Sequence, residues 1–458
     1  MACCAALLAA CASVPDAQER AARKAQAGLS TDAAQDSYRR GQAIAADPRN
    51  ANRDFLARHL AVEEAVSAPL TAGNRVRLLA DGPGTYQAML RSIAQARHYV
   101  HMETYIFDDD AQGARFAEAL IAARNRGADV ALMVDAVGTI KTPDALFQRL
   151  RDAGVQVAVF NPVSPVNGSR AGWSPNQRNH RKILVLDGKV GYLGGINVSD
   201  VYASSPASGS GGSGGVGSGA DARRTDARAA PWRDTHLRIE GPAVAQLEAV
   251  IRDGWQSQAK EPLRGGGEAI APPSGSTRVR ILANQPDRSD GYTVYLTLMS
   301  AFESAQQSIH ITMAYFVPDP AFVDALAAAA QRGVDVVLVL PGFSDSSLVF
   351  NAGRSHYGKL LDAGVKLYER RDALLHAKTA VVDGVWSTVG SSNMDWRSFA
   401  LNYEVNAVVL GPEFAAEMEA LFQRDVAESV RITPEAWRAR GVDDRFMEFF
   451  SRMFERWL

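Results

Sequence analysis

The stretch NHRKILVLDG, residues 179 to 188, sets His180, Lys182 and Asp187 among Ile183, Leu184, Val185 and Leu186. The pattern returns in LHAKTAVVDG, residues 375 to 384, with His376, Lys378 and Asp383. Side chains alternate along a β-strand, so each His and Lys, two residues apart, share a face. Each Asp lies five residues beyond its Lys and faces the other way, and glycine follows it at 188 and 384. Asp-Gly ahead of a second apolar run marks a tight hairpin. The histidines and lysines are therefore predicted to face a site, while Asp187 and Asp383 hold the turns and the strand register.

The repetition extends outward from these motifs. VRLLADG (76–82) parallels VRILANQ (279–285), RGADVALMVD (126–135) parallels RGVDVVLVLP (332–341), and DAGVQV (152–157) parallels DAGVKL (362–367). WRDTHLRIEGPAV (232–244) aligns with NYEVNAVVLGPEF (402–414), which pairs Asp234 with Glu404. The chain thus reads as two copies of one unit, 76–260 and 279–430, joined by a linker at 261–278. Each unit alternates β-rich runs with amphipathic stretches such as ARFAEALIAARNRG and PAFVDALAAAAQRG, both ending at glycine. That alternation predicts an α/β fold, with helices covering a sheet in each unit. Asn197 and Asp234 are 37 residues apart but Asn393 and Glu404 only 11, so the first unit carries an insertion. Its Gly/Ser-rich sequence, within 203–230, reads as a flexible loop.

At 458 residues the chain exceeds one ordinary core, as two units require. The balance of 49 basic and 51 acidic residues argues against a protein that grips nucleic acid over a broad surface. All three cysteines fall in the first eleven residues, which removes thiol chemistry from the remainder. The segment 1–15 resembles a bacterial lipoprotein signal, with LAAC ending at Cys11 as the lipid-bearing residue. That reading places the protein at the bacterial cell envelope. No stretch reaches the ~18 apolar residues a transmembrane helix needs. Residues 16–75 read as a helical lead-in. Residues 431–458 read as an amphipathic helix with Phe446, Phe449, Phe450, Met453, Phe454, Trp457 and Leu458 on one face. Core packing is the ordinary fate of such a stripe, and docking on a membrane surface is the alternative.

Beyond each hairpin come GGIN (194–197) and GSSN (390–393), which add Asn197, Asn393 and the Ser391 hydroxyl. Small residues let the backbone approach a ligand closely. Two imidazoles, two ammonium groups and two amides suit a phosphoryl group, whose oxygens the cations and donors offset. One imidazole can attack phosphorus while the other protonates the leaving alcohol, and the roles then reverse. Which histidine attacks is left open. No metal or other cofactor is expected, because clustered carboxylates and thiols are lacking. His59, His98, His101, His236, His310 and His356 have no such constellation and read as ordinary histidines.

Both motifs match the HxKxxxxD pattern of the phospholipase D superfamily, and the match runs from about 76 to 425. NHRKILVLDGKVGYLGGINVSD and HAKTAVVDGVWSTVGSSNMDWRSFALNYEVNAVVLG most resemble bacterial cardiolipin synthases. The resemblance implies a two-lobed α/β fold with the motifs meeting at the interface. It also implies a phosphatidyl-histidine intermediate and transfer to the hydroxyl of a second phospholipid. Phosphatidylglycerol is the implied substrate, with phosphatidylethanolamine a further candidate. A carboxylate at the place of Glu404 supports a catalytic histidine in relatives, and Asp234 is its first-unit counterpart. Three other functions compete: hydrolysis to phosphatidic acid, a nuclease, and a non-catalytic lipid-binding envelope protein. Near-zero charge argues against the nuclease, and the doubled histidine against the last. The oligomeric state is not set by the sequence.

Overall fold

Strands from both repeats merge into one fifteen-stranded sheet in the computed structural model. It describes residues 53–455 except 67, 164–173, 175, 205–229, 260, 268–270 and 287–291. Cys11, most of the Gly/Ser insertion, Trp457 and Leu458 lie outside the described residues.

The first repeat supplies β1 (Thr71–Leu79), β2 (Tyr99–Thr104), β3 (Asp129–Asp135), β4 (Gln156–Phe160), β5 (Ile183–Leu186), β6 (Val190–Gly194), β7 (Trp232–Arg233) and β8 (His236–Glu240). The second supplies β9 (Thr277–Asn284), β10 (Ser308–Met313), β11 (Phe316–Val317), β12 (Asp335–Pro341), β13 (Lys366–Arg370) and β14 (Leu374–Leu375). It continues with β15 (Lys378–Val382), β16 (Trp386–Gly390), β17 (Met394–Asp395), β18 (Glu404–Leu410) and β19 (Ser429–Ile432). Apart from the edge strand β19, the order β19-β13-β12-β10-β15-β16-β18-β9-β1-β8-β6-β5-β2-β3-β4 is symmetric about the antiparallel pair of β9 and β1. Within each half three strands run parallel, β2-β3-β4 and β10-β12-β13, so their carboxyl ends share one edge.

The sheet is buried on both faces, which explains the unbroken apolar run of β5 and the Ala-Val-Val end of β15. Leu184 and Leu186 face helices Gly82–Gln95 and Ala111–Asn125, whereas Ile183 and Val185 face the opposite layer. That opposite layer consists of helices Val244–Gln258 and Pro412–Ala427, which share one core across the junction. Thr293–Ser304 and Pro320–Gln331 cover the second half as their counterparts cover the first. Asp110 and Asp319 cap equivalent helices by accepting from the N–H groups of Gly113 and Phe322.

Element boundaries depart from the sequence reading at both ends. β1 begins at Thr71 rather than 76, because Thr71 and Asn74 find partners in Val279 and Thr277. The lead-in helix Arg53–Val66 packs Phe55, Leu56 and Leu60 into the core of the second half. The expected single C-terminal helix is instead β19, which pairs with β13, followed by helices Pro434–Arg438 and Val442–Arg452. Pro434 starts the first of these and Gly441 separates them.

Both Asp-Gly turns take positive φ at each residue, 51° and 64° at Asp187-Gly188 and 52° and 60° at Asp383-Gly384. That is the backbone of a type I′ turn, which glycine and aspartate tolerate best. The carboxylates also tie the hairpin to its neighbour. Asp187 accepts from the N–H groups of Arg97, His98 and Tyr99, and Asp383 from those of Gln306, Gln307 and Ser308. Burial opposes charge on Asp187, but the three amides outweigh it and hold its carboxyl below the usual range. Asp383→Ala strips three amides of their acceptor and is expected to cost about 3 kcal/mol, read as a lower urea midpoint. Asp383→Asn, which keeps an acceptor, is expected to cost less.

Candidate active site

The two halves exchange backbone hydrogen bonds at the edge where β2 and β10 end. His180 lies ahead of β5 rather than within it, and its N–H donates to Tyr403 O at 2.9 Å. Tyr403 N–H in turn donates to Arg178 O. His376 lies between β14 and β15, and its N–H donates to Arg233 O at 2.7 Å, alongside the parallel pairing of β14 with β7. The expectation that the histidines sit inside their strands is corrected here. Beyond the sheet a backbone N–H still needs a partner, and the other repeat provides it.

The side chains cross in the same way. His180 Nδ1 lies 3.0 and 3.1 Å from the carboxylate oxygens of Glu404. His376 Nδ1 lies 2.7 Å from Asp234 Oδ2. Each carboxylate therefore holds the histidine of the opposite repeat. Burial opposes charge on both acids, but the facing histidine and lysine outweigh it and keep both below the usual carboxylate range. Burial, reinforced by Lys378, pushes His376 down to about 4. Burial also lowers His180, against the pull of Glu404. An ionised carboxylate facing a neutral imidazole places the ring hydrogen on Nδ1 and leaves a lone pair on Nε2.

Lys182 and Lys378 are buried, and each donates to the carbonyl of the histidine two residues before it. Burial lowers their ammonium groups to about 7 and about 8. Ser391 Oγ donates to Glu404 Oε2 and accepts from the Val405 N–H. Its counterpart is Gly195, where a Cβ would collide with the Asp234 carboxylate. Both members are thus larger in the Glu404-Ser391 pair and smaller in the Asp234-Gly195 pair.

Asn197 is engaged differently from the expected phosphate donor. Its Oδ1 accepts from the Ile106 N–H, and its Nδ2 donates to Tyr202 Oη at 3.1 Å. Tyr202 Oη lies 3.3 Å from His376 Nδ1, so Asn197 reaches the site through that tyrosine. Asn393 is buried, and its Oδ1 has no hydrogen-bond partner among the described residues. His101 and His310, by contrast, are occupied by Glu248 and Glu419 on the covering helices.

Four aromatic residues near the histidines were not legible from the motifs. Tyr105 packs edge-on to His180 with centroids 5.1 Å apart, and Lys182 Nζ lies 5.3 Å from the same ring. Tyr315, Tyr202 and Trp232 surround His376 at 6.3, 5.9 and 5.0 Å. A signal existed in TYIFDD (104–109) and AYFVPD (314–319), where a tyrosine leaves the equivalent strand. Among the described residues no cluster of three or more His, Cys, Asp or Glu could hold a metal ion.

Two repeats, each lending a His and a Lys to one shared and largely buried site, define a phospholipase D-like enzyme. The family model described as cardiolipin synthase, PLD-like domain, matches residues 89–204 and 298–426. The cardiolipin synthase of Geobacillus sp. (strain WCH70) is 34% identical over 390 residues, covering 84% of this chain and 73% of that one. Cardiolipin synthase 1 of Staphylococcus aureus (strain COL) is 34% identical over 389 residues, covering 84% and 74%. The structure of phosphatidylserine synthase from Haemophilus influenzae Rd KW20 shares the fold, with a TM-score of 0.61 at 12% identity, covering 83% of this chain and 93% of that one. The chain belongs to the cardiolipin synthase family of phospholipase D-like enzymes and is a phosphatidyltransferase of that type.

Asp234→Asn and Glu404→Gln keep the shape but favour the wrong tautomer of the facing histidine. Each is expected to lower kcat by about 10²–10⁴-fold with a much smaller change in KM. An unchanged kcat would show that the carboxylates do not orient the imidazoles.

Proposed function

We propose that the protein joins two phosphatidylglycerol molecules, giving cardiolipin and releasing glycerol. The observation that carries this reading is the pair of imidazoles with free Nε2 lone pairs, each oriented by a buried carboxylate from the other half. Nε2 of one histidine attacks phosphorus, and the bond from phosphorus to the headgroup oxygen breaks. That oxygen takes a proton from Nε2 of the other histidine, which the anionic phosphodiester has helped to protonate. The hydroxyl of a second lipid then gives its proton back to this second histidine and attacks phosphorus. The phosphorus–nitrogen bond breaks, and both imidazoles are restored.

Lys182 and Lys378 offset charge on the phosphoryl oxygens, and the arriving anion raises both ammonium groups again. Asn393 assists them, while Asn197 acts through Tyr202. Ser391 orients Glu404, and Asp187 and Asp383 hold the hairpins that aim each motif. Phosphatidylethanolamine is a further candidate substrate. Such lipids place the enzyme at a membrane surface in the bacterial envelope, with Cys11 as the proposed lipid attachment point.

The test is incubation with phosphatidylglycerol, with and without phosphatidylethanolamine, followed by mass spectrometry of the products. Cardiolipin is expected from the wild type, and a loss of at least ~10⁴-fold in His180→Ala and His376→Ala. Phosphatidic acid alone would make the protein a hydrolase, and full activity in either variant would overturn the two-histidine scheme.

The pH profile of kcat/KM is a second test. The attacking imidazole works only when deprotonated, and burial lowers both histidines, His376 to about 4. Activity is therefore expected to rise with pH on an acid limb below the usual histidine range. The lysines bind phosphate only when charged, so activity is expected to fall as pH passes from about 7 to about 8. Lys182→Arg, which stays charged, is expected to move the alkaline limb upward. An alkaline limb that does not respond would remove Lys182 from phosphate binding.

A further inference from the structure

We propose that helix Val442–Arg452 docks on a phospholipid bilayer and seats the active-site edge of the sheet against it. This rests on the phosphatidyl-transfer reading, which requires a bilayer lipid to reach the site. From the sequence, core packing is the ordinary fate of this apolar stripe and membrane docking the alternative. The structure turns it outward: Phe446 is 63%, Phe449 68% and Met453 60% exposed, with Phe450 beside them at 40%. The two buried residues of the helix are both polar. Glu448 is 3% exposed, bonded to Arg440 at 2.9 Å and within 3.7 Å of Arg354, and Ser451 is fully buried. One turn further on, Glu455 approaches His356 at 3.5 Å.

A helix held to its protein by ion pairs, with its aromatic side in water, is inside out for a core and correct for an interface. Exposed Arg445 and Arg452, seven residues apart on one flank of the apolar arc, are placed to meet anionic headgroups. Anionic phospholipid is also the proposed substrate, which favours a bilayer over a second copy of the chain as the occupant.

The helix is joined to the site through its anchor. Arg354 closes helix Ser347–Arg354, and residues of that helix share a cleft with Tyr315 and Phe316. Tyr315 is one of the three rings around His376. Across the same sheet edge, the loops leaving β3 and β4 expose Val137, Ile140 and Val163. Apolar side chains from the first repeat and from the C-terminal helix therefore rim the edge where the histidines lie.

The test is co-sedimentation of the full chain with vesicles of phosphatidylglycerol and phosphatidylcholine, and with vesicles of phosphatidylcholine alone. The combined variant Phe446→Ser, Phe449→Ser, Phe450→Ser and Met453→Ser is expected to partition at least ~10-fold less to the mixed vesicles. Its melting temperature and its turnover of detergent-dispersed phosphatidylglycerol are expected to match the wild type. Phe449→Ser alone is expected to act in the same direction. Unchanged vesicle binding would overturn the proposal, as would a wild-type dimer that the substitutions split while vesicle binding persists. Repeating the series in a His376→Ala background keeps the two readings separate. Binding that depends on the helix without turnover upholds the dock alone, and turnover without such binding upholds the chemistry alone.

Discussion

Two carboxylate–imidazole hydrogen bonds cross between the repeats, Glu404 to His180 and Asp234 to His376, and the site depends on that crossing. Two buried carboxylates and two buried lysines are costly to hold in one place. The cost is offset because each carboxylate is satisfied by an imidazole, and each imidazole segment is pinned by a backbone bond to the other half. Neither repeat contains both members of either pair, and the β1–β9 junction that closes the sheet also brings the two halves of the candidate site together. Buried ion pairs brace the crossing, with Asp425 held by both Arg233 and Arg370, and Asp135 by Arg178.

The halves are alike in topology and unlike at the reacting nitrogens. In one, a longer carboxylate needs Ser391 to steady it; in the other, a shorter one needs Gly195 to leave room. His376 is enclosed by Tyr202, Trp232 and Tyr315, whereas His180 faces Tyr105. Unequal environments are how two chemically identical side chains come to play different roles in one cycle.

Much of this was legible in the chain. The repeated His-x-Lys spacing, the Asp-Gly turns and the alignment of Asp234 with Glu404 are local patterns, and strand parity converts them into directions. The crossing was not legible, because an internal repeat looks self-contained: nothing in WRDTHLRIEG shows that Asp234 serves a histidine 142 positions onward. Asn197 was misplaced for a related reason, since a side-chain amide bonds whatever lies nearest and Tyr202 follows in an unmatched segment. Tyr105 and Tyr315 escaped notice because their segments are offset by a residue. The C-terminal helix turned its apolar side outward because Glu448 pairs with Arg354 from a remote helix and with Arg440 just ahead of its own start. Those pairs decided which side it buries.

The measurement closest to the central claim is the stoichiometry of the covalent intermediate. Phosphatidylglycerol labelled at phosphorus would be mixed with enzyme, the reaction quenched within the first turnover, and the peptides sequenced by mass spectrometry. A single site shared by both repeats predicts at most one phosphatidyl group per chain, on the peptide of either His180 or His376 and never on both. Two labels per chain would mean that each repeat carries its own site, which would contradict the account.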